Sequence, residues 1–260
     1  MNCKNCQAIL SENGEYCYSC GGKVIRNRLT IKNLFEDFTT TFFNYDNKFF
    51  KTFITLFKKP EDVIGSYIDG TRKKYLDVIS YFMVALTVTG FEWLILKRFF
   101  PELLDLSDIS YQENAKFTND IFNFVQNNSS VVMMLFVPIY ALISRIVFIN
   151  KKKYNYTEHL VIFMYVLAQI TLLGTALNIL GALLGFSLGK LIYLNLPLQI
   201  VYSAYCLKKL YTLSLKGIML RTLFFILVFL VFYAITIIVI ALSLYLIQGP
   251  EYLKALMHTQ

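Results

Sequence analysis

Residues 160–184 read LVIFMYVLAQITLLGTALNILGALL, twenty-five positions without one Asp, Glu, Lys or Arg. As a helix the stretch rises about 37 Å at 1.5 Å per residue, more than the ~30 Å hydrocarbon core of a bilayer. Comparable apolar runs stand at about 78–96, 131–149, 188–206 and 218–247. The last is longer than a straight span needs, so it tilts or begins in the interface. The expected fold class is therefore mainly α, a polytopic membrane helical bundle of about five spans. Composition agrees: of 260 residues 56% are hydrophobic and 16% charged, against roughly 45–50% and 25% in soluble domains.

The charge pattern orients this bundle. Net charge is +8, which could suggest nucleic acid, but the basic residues cluster by side. Twelve Lys or Arg precede Tyr75; Lys151, Lys152, Lys153, Lys208, Lys209, Lys216 and Arg221 fall on the same side of the five spans. The opposite side holds only Lys97, Arg98, Lys116, Lys190 and Lys254, with an acidic loop of Glu102, Asp105, Asp108, Glu113 and Asp120. By the positive-inside rule the N-terminus is cytoplasmic and the C-terminus outside. Asn2, Cys3 and Lys4 follow Met1 without an apolar stretch, so no cleavable signal is expected and the head stays where it is made. The basic excess is a topology signal, and nucleic acid is an unlikely partner.

The head (1–24) carries Cys3-x2-Cys6, ten residues, then Cys17-x2-Cys20. Two such knuckles supply four thiolates to a tetrahedral metal at about 2.3 Å. Ala8, Ile9 and Leu10 suit a strand, Asn13-Gly14 a tight turn, and Gly21-Gly22 a close backbone turn beside the metal. Disulfides would need an oxidising compartment, and a redox CxxC would need a βαβ setting. So small a head cannot fold on its apolar core alone, and metal binding becomes its folding energy. The reading is a zinc ribbon with one structural zinc ion on Cys3, Cys6, Cys17 and Cys20; iron or redox chemistry is the alternative. Cys206, within an apolar run, reads as a small buried hydrophobe.

Between head and bundle (25–75) the pattern predicts interfacial amphipathic helices. Leu34, Phe35, Phe38 and Phe42 recur at helical spacing, as do Phe49, Phe50, Phe53, Ile54 and Phe57. Pro60 with Glu61 and Asp62 suits a first helical turn, and Asp69-Gly70 an end before Arg72, Lys73 and Lys74. Such helices lie in the membrane interface or pack as a collar on the bundle (76–260), with anionic lipid at the inner face as a partner.

Ionisable groups inside spans are functional candidates. Glu92 sits about 21 Å above the inner end of its span and Arg145 only about 6–9 Å from the inner face, so each is expected to snorkel to its own interface rather than pair. Gln169 and Asn178, facing Asn195 and Gln199, are expected to hydrogen-bond across a tight hairpin that Gly181-x3-Gly185 lets close. Glu92, Gln169, Asn178 and Asn195 are the candidate intramembrane polar path. Pro138 and Pro197 can kink their helices.

No catalytic constellation emerges. Gly185-Phe186-Ser187-Leu188-Gly189 spells the nucleophile-elbow pattern, but that chemistry needs a strand–turn–helix and a histidine with an acid, and here it joins two apolar helices. Glu158-His159 lacks the second histidine of a metalloprotease helix and reads as an interfacial polar pair.

Residues 1–22, then Phe49-Phe50-Lys51-Thr52-Phe53, Leu56-Phe57-Lys58-Lys59-Pro60 and the run from Tyr67 to Tyr75, resemble a bacterial domain-of-unknown-function family that joins a CxxC zinc ribbon to a multi-pass bundle. The resemblance extends over roughly the first 95 residues. Gln7 departs from it, standing where the first knuckle usually continues with glycine. The five-span plan with a cytoplasmic head, and residues 156–181, are similar to Yip1-like membrane proteins. Neither resemblance implies a catalytic residue; the first is to a bacterial family, and with a cytoplasmic head the expected location is the bacterial inner membrane. The expected function is non-enzymatic: an adaptor whose ribbon docks a protein partner while the bundle sits in the lipid bilayer, as monomer or homo-oligomer. The alternative is a transporter or channel component.

Overall fold

The computed structural model describes residues 2–11, 14–22, 24, 30, 48–104 and 125–248, the stretch 236–248 by backbone alone. The first amphipathic stretch read above (30–47, Thr30 apart) and most of the acidic loop lie outside the described residues. The chain divides into two compact units, 1–47 and 48–260. The sequence grouped 25–75 as one juxtamembrane segment; its helices after residue 47 fall in the second unit, with the bundle.

That second unit is all helix among the described residues. In chain order it holds α1 (48–58), α2 (Pro60–Ile68), α3 (Val78–Phe99) with a short 3₁₀ turn (Pro101–Leu104), α4 (Ser129–Val147), α5 (Tyr156–Leu183), α6 (Leu188–Tyr211) and α7 (Leu215–Gln248). Four of them, α3, α4, α5 and α7, are long and apolar enough to cross a membrane. The fifth segment expected to span, α6, is present at 24 residues but is not among these four, because lysines at both ends and Asn195, Pro197 and Gln199 dilute its apolar character.

Local chemistry sets the helix ends. Lys59 leaves the helical region at φ −142°, as the residue before a proline tends to, and Pro60 opens α2 at N1 with Glu61 and Asp62 in the first turn. At its far end Thr71 N–H bonds to Ser66 O and Gly70 N–H to Tyr67 O, with Gly70 at φ +91°, a Schellman closure. Asp77 caps α3 through Ser80 N at 3.0 Å. Asn155 and Glu158 form a capping box on α5.

The long helices pack around α5, which is apolar on every side and half buried along its span, whereas the corresponding stretch of α7 is 6% buried. A helix hydrophobic all round is either a core helix or a membrane span; α7 is as uniformly apolar as α5, so packing between its neighbours, and not hydrophobicity alone, puts α5 at the centre. The main core, at the end of the bundle where α1 and α2 lie, is filled by Leu56, Ile64, Leu76, Tyr81, Ile162, Tyr165 and Leu210. An aromatic ladder crosses it: Phe49 to Tyr81 (5.6 Å), Tyr81 to Tyr165 (5.9 Å), Tyr165 to Tyr67 (5.9 Å), closed by Arg72 over Tyr67 at 4.0 Å. A smaller core of Trp93, Leu96, Ala182, Leu188 and Leu191 fills the opposite end. There Gly181 admits α6: a Cβ at this position would meet Leu191 at 2.7 Å.

Candidate metal centre and buried polar network

The two knuckles of the first unit repeat one backbone pattern. Cys3 N–H bonds to Ala8 O and Gln7 N–H to Cys3 O, both at 2.9 Å; Cys17 N–H bonds to Gly22 O and Gly21 N–H to Cys17 O, both at 2.8 Å. The equivalent fourth positions, Gln7 (φ 62°) and Gly21 (φ 70°), are both left-handed. Only the second knuckle has the residue that takes this conformation at little cost. Of the residues expected to form a ribbon strand, Ile9 makes an isolated antiparallel bridge with Asn2. Gly14 N–H does close a turn onto Ser11 O at 3.2 Å; Asn13 lies outside the described residues.

The four sulfurs of Cys3, Cys6, Cys17 and Cys20 lie within 4.8 Å of one another, with Cys3–Cys20 at 3.7 Å and Cys6–Cys17 at 3.6 Å. A tetrahedron with ~2.3 Å metal–sulfur bonds has edges of about 3.8 Å, so the four cysteines are placed to hold a metal ion. Asn5 supports two of them, Cys20 and Cys3. Its side chain, with Gly22 N–H, brings the Cys20 thiol down to about 6; the backbone N–H groups of Cys6 and Asn5 lower that of Cys3. Hydrogen bonds to a thiolate favour the charged, metal-binding form. Position 5 sits inside the first CxxC, where such an outer-shell donor can be looked for.

In the second unit the polar residues marked by the sequence fall into two groups. Glu92 does not reach outward: its carboxylate accepts from the Thr175 hydroxyl and from Asn178 Nδ2 at 2.7 Å, and Asn195 Nδ2 donates to Asn178 Oδ1 at 2.7 Å. Three helices, α3, α5 and α6, are thus joined by one chain, which ends on a buried Asn195 Oδ1 with no partner among the described residues. The expected snorkelling fails for Glu92 because α5 offers two donors at its height. Thr175 was legible, standing three residues before Asn178 on the same helical face.

Gln169 is separate. Fully buried, it accepts from the Tyr81 hydroxyl and donates to Phe53 O at 3.2 Å. Around it the side chains of α5 and α6 hold α1 down. Pro60 lacks the N–H that would have satisfied Leu56 O; Tyr202 donates to that oxygen at 3.2 Å, and Tyr205 to Phe57 O and Lys58 O at 3.0 Å each. Thr52 accepts from Leu76 N at 2.9 Å, and Tyr165 donates to Leu76 O at 2.8 Å. Sequence reading passed over these tyrosines; the signal was the loss of a donor at Pro60, which leaves helix-end carbonyls to be met by something.

Two other readings meet the structure differently. Glu158 bonds Asn155 in the exposed cap, while His159 turns inward, fully buried, with Nε2 3.1 Å from the Tyr211 hydroxyl; they are not a pair. Gly185 (φ 79°) is the C-terminal turn of α5, with Phe186 N–H on Gly181 O and Gly185 N–H on Ala182 O, and Ser187 precedes α6. Cys206 is fully buried.

Fold and cysteines together define a helical membrane protein with an N-terminal four-thiol cluster placed for a metal ion. Residues 46–90 match a family model described as "Protein of unknown function (DUF3667)". The matched stretch holds α1, α2, the basic turn and the part of α3 that carries Tyr81, and excludes the cysteines and Glu92. No curated protein and no solved structure matches the chain.

Proposed function

We propose that this protein is a non-enzymatic adaptor of the bacterial inner membrane whose zinc-bound head docks a cytoplasmic protein partner. The observation that carries the reading is the convergence of four thiols: with all four as ligands a tetrahedral zinc keeps no open position for substrate or water, the mark of a structural site. In the bundle, hydroxyl and amide groups are spent on α1 and on helix–helix contacts. Five spans, head inside and tail outside, fit this reading. The four-residue turn 184–187 folds α6 back along α5, and 24 residues rise about 36 Å, enough to recross the bilayer. Lysines 208, 209 and 216 then fall on the same side as Lys151–Lys153.

The test is co-purification in mild detergent of the native chain and a Cys17→Ser/Cys20→Ser variant that inserts normally. A defined partner on the native chain and absent from the variant supports docking. Equal recovery with both, or none with either, sinks it. A second reading, a transport component, draws on the chain Glu92–Asn178–Asn195. Reconstituted vesicles showing a flux that falls with Glu92→Leu would favour it over the adaptor.

A further inference from the structure

A cleft of about 310 Å³ opens between α4, α5, α6 and α7. Its wall is mostly apolar and includes Phe163, Ile200, Leu207, Phe225 and Phe229. Along α7 the lining runs from Ile218 to Leu230, about 18 Å at 1.5 Å per residue, close to the ~15 Å depth of one hydrocarbon leaflet. One cation lies in it. Arg221 stands over the Phe148 ring, Cζ 5.0 Å from the centroid, and its Nη1 is buried without a hydrogen-bond partner among the described residues. A buried guanidinium N–H left unmet is costly, so an anion is called for.

The nearby charges do not supply one. Arg145 and Arg221 both lie within electrostatic reach of Tyr211. Glu158, the acid that also acts on Tyr211, is engaged with Asn155 N–H at 2.6 Å. Lys216, exposed on the same helix, adds positive charge at this end. An apolar groove of leaflet length with an unmet guanidinium near its charged end has the form of an amphiphile with an acidic head.

We propose that this cleft binds one anionic phospholipid, its acyl chain along Phe163, Phe225 and Phe229 and its phosphate on Arg221. Arg offers the phosphate a planar two-pronged donor that lysine cannot match. This is independent of the docking role assigned to the head.

Native mass spectrometry of the full chain in mild detergent, titrated with dioleoyl phosphatidylglycerol, tests it. Arg221→Gln is expected to weaken the first lipid adduct about tenfold, as loss of a charged hydrogen bond should, with Arg221→Lys between it and native. Ser203→Trp, which fills the cleft and leaves Arg221 in place, is expected to weaken the adduct as well. Phosphatidylethanolamine with the same acyl chains is expected to bind less tightly. Adducts unchanged in Arg221→Gln, equal affinity for the two headgroups, or loss of a dimer instead of a lipid in the variants would each overturn the proposal, the last by making a second copy the occupant. Should the variants fail to fold, a photo-crosslinking phosphatidylglycerol on native protein decides. Label on peptides carrying Phe163 or Phe225–Phe229 supports the site, and label confined to other helices overturns it.

Discussion

Replacing Tyr202 with Phe removes one oxygen and leaves the ring free to pack on Phe57, its neighbour at 5.7 Å. What goes is the donor to Leu56 O, at the end of α1 where Pro60 has no N–H to give. Both residues are buried, so water does not replace the hydroxyl, and an unmet buried carbonyl costs roughly 1–3 kcal/mol. Tyr205→Phe removes a donor to Phe57 O and Lys58 O, but at a partly exposed edge where water can substitute, which lowers the expectation to about 0.5–1 kcal/mol. The cost falls locally, on how firmly α1 is held. Amide hydrogen exchange across 52–58 should therefore speed up roughly 5- to 150-fold in Tyr202→Phe and by no more than about 5-fold in Tyr205→Phe. Exchange in α5 should stay as it was. Unchanged exchange in Tyr202→Phe, or equal loosening by the two variants, would refute the view that buried carbonyl capping anchors α1.

Further outcomes can be checked on the same protein. Gln7→Gly should raise the metal affinity or chelator resistance of the head by up to about 1 kcal/mol, and Gly21→Gln should lower it by about 1–2 kcal/mol, since both positions are left-handed; competition with a chromophoric chelator reads both. Glu92→Leu should destabilise the bundle by about 1–2 kcal/mol in detergent melting, leaving Thr175 and Asn178 without their acceptor, whereas Glu92→Gln should cost less because it keeps an acceptor. Asp62, held below its ordinary range by Lys74 (2.5 Å) and Tyr75 (2.7 Å), stabilises above the unfolded carboxylate value near 3.9 and loses that contribution as pH falls through its lowered folded value. With both side chains of the ion pair near 40% exposed, solvent screens it and its contribution is small. Asp62→Asn should thus lower the melting temperature slightly at pH 7 and by less at pH 3, below the unfolded carboxylate value; an equal drop at both would remove the ion pair from the account.

Much of the fold is local and stands in the sequence. The run 160–184 lies within a few residues of α5, and Asp69-Gly70, Pro60 and Gly185 end or begin helices through their own backbone chemistry. The cysteine spacing likewise carries its site, because each knuckle closes over five or six residues. What the sequence could not supply is rotation about the helix axis. Rise per residue gives a side chain its height in a span, and height separated Glu92 from Arg145; whether Glu92 looks out to lipid or in toward Thr175 and Asn178 depends on which face of α3 meets α5. The same holds for Gln169, drawn to Tyr81 and Phe53 rather than to its supposed hairpin partners, and for His159, one residue from an exposed glutamate yet fully buried. Helix–helix packing fixes those azimuths, since it is set by side chains far apart in the chain, and with them it decided which polar groups find one another.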